Sequence, residues 1–139
     1  VKESLAPGLV YEFSYRVPPE KTVPHLYPES VEFRAMPEVF ATGFLVGLVE
    51  WTCIQALMPH LDWPREQSLG THVNLSHTAP SPPGRTLTVR VTLTRVEGRR
   101  LGFDVHARDE TGVVSEGTHE RVVVDAERFR QRLAAAPAG

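Results

Sequence analysis

Cysteine is nearly absent. Cys53 is the only one in 139 residues, so no internal disulfide can form, which fits a reducing compartment such as the cytoplasm. An excess of one charge is also lacking: 15 basic and 17 acidic residues give a formal net charge of -2, and no Lys/Arg-rich run occurs. A nucleic-acid partner, which requires a basic face, is therefore not expected. The N-terminal stretch VKESLAPGLVYEF carries no apolar secretory signal. Signatures for dinucleotide loops, P-loops and the GxSxG nucleophile elbow are missing. The six histidines are scattered, and His72 and His77, five apart, point to opposite faces of a strand. No metal and no redox cofactor is expected.

Long hydrophobic runs are scarce as well. The one that exists, Phe40 to Met58, holds no charge except Glu50 and approaches a bilayer span in length. It also contains Thr42, Gly43, Gly47, Thr52 and Gln55, and Pro59 stops it. The rest of the chain reads as strands in need of a core partner, so the run is predicted to be a buried helix with Thr42 as its N-cap, and no membrane is expected.

Around that helix the pattern has period two. Leu9 to Val17 reads as a first strand, ended by Pro18 and Pro19. Residues 21–37, punctuated by Pro24, Pro28 and Pro37, read as an irregular, lid-like segment. After a loop over His60 to Leu69, alternation runs from Thr71 to Ala79, with Val73, Leu75 and His77 on one face. A Pro/Gly turn at Pro80 to Gly84 leads into Leu87, Val89, Val91 and Leu93, which alternate with polar residues. Glu97-Gly98 turns into Leu101, Phe103, Val105 and Ala107. Val113 to Val124 follows as a last strand, and the tail, residues 126–139, reads as a short helix that frays. The length suits one domain over residues 1–139. The expected class is α+β: four consecutive antiparallel strands and the first strand form a curved sheet wrapped around one long buried helix, the hot-dog architecture.

Glu50 is the sharpest chemical signal, because an ionised carboxylate inside an apolar helix is costly unless paired, and no other charge lies in that helix. His77 continues the face of Val73 and Leu75 and is the natural partner; such an acid and imidazole can handle protons in hydrolysis. Thr42 serves equally as a helix cap or as a catalytic hydroxyl. In the loop Ser68-Leu69-Gly70-Thr71 a Gly70 amide could donate to an oxyanion. Arg121 is either a solvated strand charge or a cation for a phosphate or for the active-site carboxylate. Cys53 reads as packing.

Six segments then carry a resemblance: TVPHLYPES (22–30), PEVFATGFLVGLVEW (37–51), SLGT (68–71), HTA (77–79), VEGRRL (96–101) and GTHERVV (117–123). In this order they resemble the fluoroacetyl-CoA thioesterases of the hot-dog superfamily. The resemblance implies a homodimer with its active site near the subunit interface, hydrolysing a small acyl-CoA, fluoroacetyl-CoA foremost, to free acid and CoA in fluoroacetate detoxification. Thr42, Glu50 and His77 match the family's catalytic trio, with Glu50 as nucleophile or as general base. Gly70 matches its backbone donor and Arg121 its motif arginine. Phe33 fits an aromatic of the lid, and Met36 stands where a second Phe is expected. Coenzyme A enters as part of the substrate, with no separate cofactor. The alternatives are a short-chain acyl-CoA thioesterase without fluorine preference, a non-catalytic acyl-CoA binding module, and a hydratase of the same fold.

Overall fold

The computed structural model describes residues 1–137. Five strands form one antiparallel sheet: β1 (Val10–Arg16), β2 (Glu66–Leu75), β3 (Thr86–Glu97), β4 (Arg100–Asp109) and β5 (Gly112–Asp125). A short helix α1 (Val31–Arg34) precedes the long helix α2 (Thr42–Leu57), and α3 (Ala126–Ala135) closes the chain. The segment expected to be irregular is built from 3-10 turns at Pro19–Lys21 and Val23–His25 followed by α1.

The sheet order is β1-β3-β4-β5-β2. This corrects the expected run of four consecutive neighbours. Two-residue turns force β3, β4 and β5 to be adjacent, with Gly98 in the left-handed region (φ 62) at the first. The β2–β3 connection, with Pro80, Pro82 and Pro83, is no tight hairpin, and it lets β2 lie on the far edge beside β5. Strand β2 also starts earlier than expected, at Glu66, so Ser68 to Thr71 is strand rather than loop. His77 lies just past its end, yet Ser76 and Thr78 still donate to the Glu116 and Val114 carbonyls and keep the chain extended.

Leu87, Val89, Val91, Leu93 and Leu101 are all 0% exposed and pack under α2 with Leu45, Val49, Cys53 and Leu57. That arrangement follows from the alternation: one sheet face is apolar, and the helix covers it. The helix is apolar all round but buried on one side only. Its outer stripe leaves Trp51 48% exposed, and Met58 just past its end is 38% exposed, so the expectation of a fully buried helix is corrected. By length and composition this helix could cross a membrane, but here it is the partner of the sheet.

Candidate active site

Glu50 and Gly70 meet where α2 crosses β2. The Glu50 side chain is 39% accessible, not buried as expected, because it lies at the margin of the outer stripe. Its Oε2 accepts from Arg121 Nη1 at 3.0 Å. Arg121 belongs to β5, opposite Gly70 in the ladder, and its side chain is 2% accessible. Two further donors are held too: Nε donates to Ser68 Oγ and Nη2 to the Ser68 carbonyl, both at 2.8 Å. Arg121 Nη1 also lies 3.0 Å from His119 Nε2, and His119 Nδ1 lies 2.8 Å from the His72 carbonyl. A Cβ built on Gly70 would stand 2.8 Å from Glu50 Oε2, so only glycine allows this approach. The ladder shifts register between Gly70 and His72, which leaves Thr71 as a bulge beside the site.

The second half lies at the start of α2. Thr42 does not cap the helix: Ala41 holds the N-cap position, and no side chain caps there. The Thr42 hydroxyl instead lies 2.8 Å from His77 Nδ1. His77 Nε2 is enclosed and has no hydrogen-bond partner among the described residues. Burial holds the His77 imidazole below its ordinary pKa. A cavity of about 260 Å³ adjoins the pair, lined also by Val23, Val39, Phe40 and Ala79. A second cavity of about 240 Å³, walled by Tyr15, Phe40, Phe44 and Trp51 over Gly47, lies on the other side of Phe40.

The expected direct contact between Glu50 and His77 does not form. Glu50 pairs with Arg121, and His77 pairs with Thr42. Thr42 and Glu50 are eight residues apart on one helix, about 12 Å along its axis. Phe33 stacks on Tyr27 (centroids 5.6 Å apart, 19° between planes), and Met36 is 50% exposed; neither lines the two cavities. The segment touches the helix start through Leu26 instead, whose methyls lie 3.1 and 3.2 Å from a Cβ position on Gly43. Ser68 and His119 were not among the expected site residues. His119, Arg121 and Val123 share the inward phase of β5, and two polar groups on that phase are a signal readable from sequence. A larger groove of about 780 Å³ between β5 and α3, lined by Arg99, Arg128 and Arg132, holds none of the site residues.

Comparison with known proteins places this arrangement. Residues 17–127 match the family described as fluoroacetyl-CoA-specific thioesterase. A fluoroacetyl-CoA thioesterase from Streptantibioticus cattleyicolor is 50% identical over 133 residues, which cover 96% of this chain and 95% of that protein. A solved mutant structure of the fluoroacetyl-CoA-specific thioesterase FlK, in complex with fluoroacetate and CoA, superposes with a TM-score of 0.87 at 52% identity, covering 90% of this chain and 99% of that one. A hot-dog-like protein from Thermanaerovibrio acidaminovorans is similar at 25% identity and a TM-score of 0.80, over 97% of this chain and 95% of its own.

Proposed function

The chain belongs to the fluoroacetyl-CoA-specific thioesterase family, and from that premise we propose how its residues hydrolyse a small acyl-CoA, fluoroacetyl-CoA foremost, to the free acid and CoA. It is a thioester hydrolase of hot-dog fold. The reading rests on one observation: a carboxylate held on one oxygen by a buried arginine, against a glycine that leaves room for nothing larger.

Glu50 and the Thr42–His77 pair are too far apart on one chain to serve a single reacting carbonyl, since reacting atoms must lie about 3–3.5 Å apart. A homodimer resolves this. The edge strand β2 exposes Leu69 (38%) and Val73 (41%) beside unpaired backbone groups. An open strand edge with exposed apolar residues is a surface that a second copy would cover. In that homodimer Glu50 of one subunit faces Thr42 and His77 of the other.

Glu50 Oε1, which makes no hydrogen bond among the described residues, attacks the thioester carbonyl. The Gly70 amide and the Thr42 hydroxyl donate to the developing oxyanion. The C–S bond breaks, CoA leaves as the thiolate, and an acyl-Glu50 anhydride remains. His77 then takes a proton from water, which attacks the anhydride and releases the acid. Fluoroacetyl and acetyl differ by one atom, so discrimination comes from the polar C–F bond and the more electrophilic carbonyl. No step calls for a metal or redox cofactor. We read residues 1–139 as one domain acting in the cytoplasm, where its lone cysteine stays reduced.

Mixing two inactive variants tests the arrangement. Glu50→Gln and His77→Ala homodimers should each turn over poorly. Exchanged subunits should restore about one quarter of wild-type activity, since half the dimers are mixed and each carries one intact site. No recovery after verified exchange would reject a site shared between subunits, and near-normal turnover by Glu50→Gln alone would reject its role.

A further inference from the structure

We infer that His119 is a positioning residue for this reaction, fixing Arg121 so that the Glu50 carboxylate is gripped by one oxygen and leaves the other free. The inference rests on the reading of Glu50 as the reacting carboxylate. His119 makes no contact with that free oxygen and lines neither cavity beside the site, so it acts through Arg121.

The tautomer follows from hydrogen-bond chemistry. A guanidinium only donates, and it stays charged. The ring nitrogen facing Arg121 Nη1 at 3.0 Å must therefore present a lone pair, and that atom is Nε2. The ring proton then sits on Nδ1, where the His72 carbonyl accepts it at 2.8 Å. No other tautomer satisfies both contacts. An imidazolium would set N–H against N–H in a side chain that is 0% exposed.

The arginine is pinned as a result. Of the two Nη1 hydrogens, one goes to His119 and one to Glu50 Oε2. Nε and Nη2 are tied to Ser68. A free Arg–carboxylate pair tends toward a two-pronged fork that engages both oxygens. Here the imidazole and the Ser68 backbone prevent the rotation that would form it. Gly70 closes the remaining side, with a Cβ position 3.2 Å from His119 Cε1 and 2.8 Å from Glu50 Oε2. Carboxylate, guanidinium, imidazole and glycine thus pack as one unit.

The charged and titratable groups around His119 are consistent with a neutral ring. Arg121 and Glu120 on β5 and Glu50 on α2 are the charged groups acting on it, and the His72 backbone carbonyl on β2 accepts from it. Burial is the largest influence and holds the imidazole below its ordinary pKa; the carbonyl bond from His72 and the nearby carboxylates act in the opposite sense.

The test uses the full chain. His119→Phe fills a similar volume without an acceptor, and His119→Gln keeps an acceptor within reach of Nη1. The Phe variant should lose about tenfold or more in kcat with a smaller change in KM, and the Gln variant should recover most of that loss. Nitrogen-15 NMR of the wild-type imidazoles should show His119 as the Nδ1–H tautomer at neutral pH, a readout that depends on no variant folding and on no activity. Wild-type kcat in a folded His119→Phe variant, or an Nε2–H tautomer or imidazolium at His119, would overturn the inference. Full turnover by Glu50→Gln with the Nδ1–H tautomer intact would instead remove the reading on which it rests.

Discussion

Gly70 has no side chain because the Glu50 carboxylate occupies the space that one would need. Gly70→Ala should push that carboxylate off its arginine and cut kcat by about tenfold or more, while thermal denaturation shifts by only a few degrees, since the nearest obstacle is a side-chain end rather than backbone. A second residue-scale consequence concerns acid. His77 and His119 both have pKa values lowered by burial from the ordinary 6.5. Below that value the unfolded chain binds protons that the folded chain refuses, so stability is full above about pH 6.5 and falls as pH drops toward the folded values. Melting temperature measured against pH should show this decline, and His77→Gln should flatten it. Glu50 was legible in the sequence as the lone charge of an apolar helix. Its partner was legible only as one of several readings of Arg121, with His77 the expected contact, because pairing across α2 and β5 depends on strand order, which alternation does not encode. His119 was overlooked although it shares the inward phase of β5 with Arg121, because a histidine there looks like ordinary core until the arginine two residues on is seen to reach it.

Strand β2 brings Ser68 and Gly70 against Arg121 and Glu50, and its free side is an open sheet edge. Its exposed Val73 and Leu69 are the element-scale handle on assembly. Val73→Lys should weaken self-association, because a charge at a strand edge opposes edge-to-edge pairing. Light scattering of the eluted protein should register a smaller species, and activity should fall in parallel; an unchanged particle mass would rule out this edge as the contact. The alternation of β3 and β4 was read correctly residue by residue. The position of β2 was not, because a proline-rich connection specifies where a strand stops and leaves open which neighbour comes next. The start of α2 was misread for a local reason. Threonine is a good cap, but here its hydroxyl is recruited by His77, and Ala41 takes the boundary instead.

At the scale of the whole molecule, a single cysteine sits in the middle of the helix–sheet core. Cys53 is 0% exposed, and burial pushes its thiol up to about 12. Alkylation at neutral pH should therefore be slow in the native protein and rapid in denaturant, so that the rate of modification measured by intact mass reports opening of the core. Fast labelling under native conditions would show that the helix lifts from the sheet far more readily than this packing allows. The α+β class and the helix-in-sheet arrangement were readable because one apolar run and several alternating ones admit few ways of burying both. The half-exposed acid could not be read, since the sequence of one chain does not say which apolar stripe waits for another.

The chamber beside Thr42 and His77 takes Val23 and Val39 from the stretch that precedes α2, whereas Glu50, Arg121 and His119 stand on the long helix and the sheet. Changes in that leading stretch would therefore reshape this cavity while leaving the grip of Arg121 on Glu50 untouched.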